Sequence, residues 1–190
     1  MQKLAKVFFW GMIVSFLGSL PLGTMNVTST HIAVQQGIRP AFIYACGSML
    51  VEIIIVRLAL IGMNWLGARQ KLFRILEMFT LTLIIFLAIA SLVAAYRMTD
   101  FTNSLPIRIS WPFWTGAFLS LTNPLHLPFW LGWSTVLINK NILQTKQKQY
   151  NFYVVGIGLG TMMGFSLFIL AGSYFINAIT QHNLIINLSI

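Results

Sequence analysis

Reactive side chains are few in this chain, and one acidic residue, Glu52, stands out among them. It lies near the middle of an apolar stretch, residues 40–66, that is long enough to cross a membrane as a helix. An ionised carboxylate there costs roughly 2.5 to 3.5 kcal/mol on insertion scales, so the side chain must be hidden, paired or protonated. The residues that share its helical face are all small: Ala41, Ala45, Ser48 and Ala59. Small residues suit close helix contacts or a narrow cavity.

Two interpretations of Glu52 follow from this position. An acid inside the membrane is a functional-site hypothesis by default, and we predict that Glu52 couples transport to protons or binds a cation. The alternative is a carboxylate locked into a structural hydrogen bond. Arg57 does not offer an ion pair, because five residues turn a helix by about 500° and leave the two side chains about 140° apart. Snorkelling of Arg57 toward the headgroups is therefore preferred over a contact with another helix or an anionic substrate.

Proline interrupts two apolar stretches, and each interruption has an asparagine close by. The breaks are predicted at residues 21–26 and 123–128. Unwound helix in a membrane frees backbone N–H and C=O groups that can bind a polar solute near the midplane. The alternative is that these prolines only kink the helices. The residues predicted to line a substrate pathway are Pro21, Gly23, Asn26, Asn123, Pro124 and His126. His126 is either a proton relay or substrate donor, or a hydrogen-bond donor to freed carbonyls.

Catalytic and metal-binding patterns are missing from the sequence. There is no Ser/His/Asp set, no pair of carboxylates, no HExxH and no phosphate-binding loop. An enzyme would have to work with Glu52, His126 and Asn123 alone, so we predict no enzymatic activity, no metal and no cofactor. The single cysteine, Cys46, excludes an internal disulfide and a Cys-based metal cage, and we expect it to be a small buried packing residue.

The composition requires a membrane. Hydrophobic residues make up 57% of the 190 residues and charged residues 8%, which is too little polar material for a soluble surface. The mean hydropathy of +0.81 agrees. The net charge of +9 comes from Lys and Arg scattered in short segments between apolar stretches, not from a continuous basic face. Nucleic acid is therefore not an expected partner, whereas membrane lipid is.

The fold class predicted from the apolar pattern is an all-α integral membrane protein. Apolar stretches predict five full spans, followed by a partial sixth that either ends the chain or has lost its natural end. Their approximate ranges are 5–31, 40–66, 72–96, 111–138 and 150–179, with a tail at 183–190. The first stretch has a basic start like a secretory signal but lacks a small-x-small cleavage site, so we expect it to be retained.

Positive charge predicts the orientation of the chain. The loops on one side hold eight Lys and Arg, against Arg39, Arg97 and Arg108 on the other. Because positive charge is retained in the cytoplasm, we predict a cytoplasmic N-terminus. Trp10, Trp65, Trp111 and Trp133 stand near span ends, as interfacial aromatic residues do, and Trp114 and Trp130 are less diagnostic.

The two halves of the chain resemble each other. Phe9-Trp10-Gly11, Ser15 and Pro21 have counterparts in Phe113-Trp114-Thr115-Gly116, Ser120 and Pro124. Tyr44, Gly47, Val51 and Glu52 align with Tyr153, Gly156, Gly160 and Thr161 at a constant offset of 109 residues. Units of three spans alternate in orientation, so this duplication predicts an inverted repeat made of residues 1–98 and 111–190, within a single membrane domain of residues 1–190.

Several of these segments resemble the LysE/RhtB-type amino-acid exporters. The matching segments, in chain order, are Gly18-x-x-Pro21-x-Gly23, Gly37-x-Arg39, Gly47, Glu52, Gly62, Asn123-Pro124 and Gly156-x-Gly158-x-Gly160. The chain departs from the family pattern where Leu22 interrupts a P-G-P segment, where Val51 replaces a glycine, and where Glu52 stands for the usual aspartate. The resemblance covers nearly the whole chain.

The resemblance implies a six-helix bacterial membrane protein that exports amino acids or similar metabolites by using the proton gradient. It implies a multi-pass protein of the bacterial inner membrane, an amino acid-like substrate, and a proton or sodium ion as coupling partner. A homodimer is compatible with it. The alternative from another class is a non-transporting scaffold or assembly subunit whose glycines serve only helix packing. A membrane enzyme is a weaker third alternative.

Overall fold

The computed structural model describes residues 2–21, 23–66, 109–187 and four single positions, 78, 82, 85 and 89, with the backbone alone at 63–66 and 175–187. The described part is helical. The helices are α1 Gln2–Ser19, α2 Thr24–Gln36, α3 Ile38–Leu66, α4 Pro112–Leu121, α5 His126–Asn139 and α6 Gln147–Asn187. Apart from the single positions, the third predicted span, 72–96, lies outside the described residues.

Two described helices are long and apolar enough to cross a membrane, within α3 at Ile38–Gly62 and within α6 at Gln147–Tyr174. The α1–α2 pair adds a third candidate if it counts as one span, although the two helices meet at 78°. The part of the chain that the structure describes is therefore helical throughout its regular elements, with helices apolar enough for a membrane protein.

The first and fourth predicted spans are each divided into two helices at the predicted proline breaks, α1 with α2 and α4 with α5. The predicted partial helix near Asn183 does not stand apart, because α6 continues without interruption to Asn187. One tight connection does depend on glycine: Gly37 has φ +96° between α2 and α3, a conformation that L side chains rarely adopt.

Glycines let the helices of the first half approach those of the second until backbones touch. A Cβ added to Gly156 of α6 would collide with the backbone carbonyl of Phe8 in α1, and one added to Gly47 of α3 with that of Phe113 in α4. The glycines on the partner helices are equally close: a Cβ added to Gly11 of α1 would collide with the carbonyl of Tyr153, and one added to Gly116 of α4 with the carbonyl of Tyr44. Small residues at such crossings allow the dispersion contacts that hold helices together in lipid.

The contacts also fix the directions of the helices. From Gly156 onward, successive glycines of α6 meet residues progressively further along α1: Gly156 meets Phe8, Gly160 meets Met12 and Gly164 meets Ser19. These two helices are therefore parallel. Along α3 the order against α6 is reversed: Arg57 contacts Asn151, Glu52 contacts Thr161 and Tyr44 contacts Phe165. Thus α3 and α6 are antiparallel.

Cys46 is exposed, contrary to the expectation that it would be buried. It lies on the face of α3 that also exposes Ile43, Leu50 and Ile54. An apolar face of this kind suits contact with lipid, and a small polarizable thiol is compatible with it.

Replacing Gly47 by alanine tests the close approach of α3 and α4. The new Cβ would meet backbone atoms that cannot move aside, so we expect Gly47→Ala to lower the free energy of unfolding by about 1–3 kcal/mol. Gly62→Ala is the matched control on the same helix, because no atom of the described residues lies within 4 Å of its added Cβ. Thermal unfolding in detergent, followed by circular dichroism, measures both. Equal midpoints for the two variants would show that the crossing is loose.

Candidate functional site

Glu52 is buried and hydrogen-bonded through both carboxyl oxygens. Its exposure is 8%, so it points into the protein and away from lipid. The indole N–H of Trp130 in α5 donates to Oε1 at 3.2 Å, and the hydroxyl of Thr161 in α6 donates to Oε2 at 2.5 Å. Donors from two other helices thus offset part of the desolvation cost of the acid.

A third helix joins this network through Ser15 of α1. Its hydroxyl lies 2.6 Å from that of Thr161, and both residues are buried. A hydroxyl has one proton to give, so when Glu52 is ionised and Thr161 donates to it, Ser15 is the donor in this pair. The chain of hydrogen bonds runs from Ser15 through Thr161 to Glu52, with Trp130 on the other oxygen. We refer to these four residues as the Glu52 network.

The small face predicted around Glu52 is confirmed by the packing of α3. Ala41 and Ala45 have no exposed surface, and Ser48 and Ala59 have 1% and 2%. Neighbouring helices therefore approach α3 closely on the side of the acid, and the side chain has little room to move away from its donors.

The first break is closed by the side chain of Asn26, which is 6% exposed. Its amide nitrogen donates to the carbonyl of Ser19 at 2.7 Å and to that of Pro21 at 3.0 Å. These carbonyls lie where α1 has ended and no helical N–H follows to bind them. Asn26 therefore satisfies backbone groups that the proline break frees, while Pro21 and Gly23 remain exposed.

The second break is held by Asn123 and lies next to the first. The side-chain oxygen of Asn123 accepts the backbone N–H of Leu125 at 3.1 Å, and its amide nitrogen lies 3.8 Å from the sulfur of Met25 in α2. The ring of Phe129 packs on Gly18 near the end of α1. The two breaks therefore adjoin, and Pro124 is exposed beside them.

The ring of His126 contacts a side chain, while its backbone N–H donates to the carbonyl of Asn123 in the break at 3.3 Å. Its Nδ1 lies 3.3 Å from the hydroxyl of Ser120, which is fully buried in α4. This contact ties the start of α5 to the end of α4 across the break. Either partner can donate, depending on the tautomer of the ring.

The predicted site residues form two neighbouring groups. Asn26, Asn123 and His126 hold the breaks, and among the described hydrogen bonds none joins them to Glu52. The connection is made by the helices, because Ser15 lies on α1 ahead of Pro21 and Trp130 lies on α5 beyond Pro124. Thus α1, which ends at the first break, and α5, which begins after the second, each contribute one side chain to the Glu52 network.

Arg57 contacts the neighbouring helix α6. Its guanidinium donates to the side-chain oxygen of Asn151 near the start of that helix. A contact with another helix is one of the alternatives that the sequence left open, and snorkelling of Arg57 toward the headgroups stays a prediction.

Sequence reasoning did not identify Trp130, Thr161 and Ser15 as site residues. Trp130 is only 1% exposed, whereas the sequence indicated no more than a weak interfacial marker. The repeat pattern could have pointed to Thr161, because it stands 109 residues from Glu52, at the repeat offset, and it is the direct partner of Glu52. The same pattern points less strongly to Ser15, which is the counterpart of Ser120 in the other half.

Comparison with known protein families gives a match for this chain. A family model described as LysE type translocator matches residues 16–189. No curated protein and no solved structure matches the chain.

Removing the Thr161 hydroxyl tests the Glu52 network. Thr161→Val keeps the shape of the side chain but leaves Oε2 of Glu52 and the hydroxyl of Ser15 each without a partner, so we expect a loss of about 1–3 kcal/mol in stability. Thr115→Val is the control, because the Thr115 hydroxyl is exposed and bonds to its own helix at Trp111. Thermal unfolding in detergent compares the two, and similar midpoints would show that the network contributes nothing.

Replacing Asn26 or Asn123 by aspartate tests whether each asparagine acts in its break as a hydrogen-bond donor or as an acceptor. Asn26→Asp removes the donor that binds two carbonyls, whereas Asn123→Asp keeps the oxygen that accepts the Leu125 N–H. We therefore expect Asn26→Asp to lower thermal stability clearly more than Asn123→Asp, although each adds the same carboxyl group near the start of a helix. Equal losses, or a larger loss for Asn123→Asp, would contradict these assignments.

Proposed function

This chain belongs to the LysE type translocator family, and we propose that it is a proton-coupled secondary transporter that exports amino acids or similar small polar metabolites. Family membership makes it a membrane transport protein and not an enzyme. The proton coupling, the substrate class and the direction of transport are the parts that we add.

The observation that carries the proposal is the Glu52 network. An acid buried between helices and held by hydrogen bonds from two of them can exist with or without its proton. When it is ionised, Thr161 and Trp130 donate to it, as observed. When it is protonated, its own O–H can donate to Thr161, whose hydroxyl can then turn toward Ser15. Proton binding would thus reverse the hydrogen bonds that join α3 to α6 and α1.

We further propose that the two breaks bind the solute. The pathway residues are Pro21, Gly23, Asn26, Asn123, Pro124 and His126. Three facts support this assignment: the breaks adjoin through Asn123 and Met25, both carry exposed proline, and the helices beside them supply Ser15 and Trp130 to the acid. A solute that displaced the asparagine side chains from backbone groups would disturb the same helices that protonation affects.

The proposed mechanism is alternating access by an inverted repeat. The repeat consists of residues 1–98 and 111–190, with five full spans and a partial sixth. The matched glycine contacts support it, because Gly11 and Gly47 of one half correspond to Gly116 and Gly156 of the other. The antiparallel pairing of α3 and α6 around Glu52 and Thr161 supports it as well. Such repeats rock against each other around a fixed site.

The proposed location is the bacterial inner membrane with the N-terminus in the cytoplasm, supported by the excess of Lys and Arg on one side of the spans. The coupling ion could be sodium in place of the proton, and a homodimer is compatible with the proposal. Glycine packing, with Glu52 as a purely structural hydrogen-bond acceptor, would suit a scaffold, which is the alternative that the transport measurement below addresses.

Replacing Glu52 by glutamine tests the coupling. The glutamine side chain would keep the size of the original but could not release a proton, so we expect Glu52→Gln to lose proton-driven accumulation of labelled amino acids in proteoliposomes. Exchange of solute for solute across the same vesicles should persist, which controls for folding and binding. A pH-sensitive dye reports the accompanying proton movement.

Undiminished proton-driven transport by Glu52→Gln would contradict the role of this residue. Wild-type protein that moves none of the twenty amino acids under either a proton or a sodium gradient would favour the scaffold.

A further inference from the structure

Two buried tyrosines, Tyr44 on α3 and Tyr153 on α6, flank the pair formed by Glu52 and Thr161. Both have no exposed surface. Each stands eight residues before the central residue of its own helix, which corresponds to about 12 Å along the axis. Because α3 and α6 are antiparallel, the two tyrosines lie in opposite directions from Glu52, toward opposite faces of the membrane.

The surroundings of the two tyrosines match as well. Each tyrosine has a hydroxyl residue nearby on the helix that follows a break, Thr28 of α2 for Tyr44 and Ser134 of α5 for Tyr153, although Thr28 already donates to the carbonyl of Thr24 at 2.7 Å. Each ring also packs edge-on against an aromatic side chain, at centroid distances of 6.1 Å to Phe165 and 6.3 Å to Trp130. The ring of Trp130 thus contacts Tyr153 while its N–H binds Glu52.

The hydroxyls of Tyr44, Tyr153 and Ser134 are buried without a hydrogen-bond partner of normal geometry among the described residues. The hydroxyl of Tyr150, one turn before Tyr153 on the same helix, is in the same situation. An unmet buried hydroxyl costs about 1–3 kcal/mol, and proteins usually meet such groups with ordered water. Phenylalanine at these positions would fill the same space without that cost, so the hydroxyls need a ligand to explain them.

We propose that Tyr44, and Tyr153 together with Ser134, form two water-binding sites, one on each side of Glu52 along the helix axes. The inference rests on the proposed function, because it places bound water between the coupling acid and each face of the membrane. Each phenol can donate to and accept from one water molecule. Ser134 offers the same capacity beside Tyr153, whereas the Thr28 hydroxyl near Tyr44 already donates to the carbonyl of Thr24 at 2.7 Å and can only accept. Tyr150 offers a further buried hydroxyl on the side of Tyr153.

Hydroxyl-radical footprinting by X-ray radiolysis in detergent tests these sites, because radicals form where water is and modify the side chains beside it. We expect Tyr44 and Tyr153 to be modified several-fold more than Ile157, which is equally buried, with each rate normalised to unfolded protein. Exposed Trp111 serves as the upper reference. Protection of either tyrosine to the level of Ile157 would overturn the proposal of two water-binding sites.

Thermal stability gives a second readout. Tyr44→Phe and Tyr153→Phe keep the packing of the rings, so both should fold. If the hydroxyls bind water, removing one leaves water or Ser134 without a partner, and the unfolding midpoint should stay the same or fall. A rise in both midpoints would mean that the hydroxyls are dry and would contradict the proposal.

Both measurements use protein without solute or a proton gradient, so their result does not depend on transport. If the tyrosines are modified by radicals and Glu52→Gln still couples protons, the water sites are supported and the role of Glu52 is wrong. If the tyrosines are protected and Glu52→Gln loses coupling, the role of Glu52 is supported and the water sites are wrong.

Discussion

A carboxyl group in an apolar helix needs hydrogen-bond partners inside the protein. The packing of the described helices depends on how these partners are supplied to Glu52. Its two oxygens take donors from α5 and α6, and the second donor is itself bound by α1. Four helices therefore meet at one acid. Any movement of these helices must either carry the donors along or leave a buried charge unpaired, which costs several kcal/mol.

Two features of the sequence make this meeting possible. Glycines at Gly11, Gly156 and Gly160 bring the backbones of α1 and α6 into direct contact, so that the short side chain of Ser15 reaches Thr161, the partner of the acid. After the second proline break, α5 packs against α3 and places Trp130 on the acid. Asn26 and Asn123 meet the backbone groups that the breaks free, as a membrane interior requires.

Much of this arrangement could be predicted from sequence, because it follows from strong local signals. Composition and apolar length predicted a helical membrane protein, proline predicted both breaks, and the small residues beside Glu52 predicted its burial. The partners of Glu52 could not be predicted in the same way. Trp130, Thr161 and Ser15 are each common as packing or interfacial residues, and only the crossing of helices from different halves brings them together. The exposure of Cys46 also depends on packing that no local pattern records.

The central claim is that solute binding and the proton on Glu52 are linked. The most direct measurement is proton release or uptake when solute is added to purified protein in weakly buffered detergent solution, combined with the infrared carboxyl band of the wild type and of Glu52→Gln. The account predicts a change approaching one proton per chain, accompanied by a change in the Glu52 band, both absent from the variant. Solute that binds without moving a proton, or moves it equally in Glu52→Gln, would contradict the account.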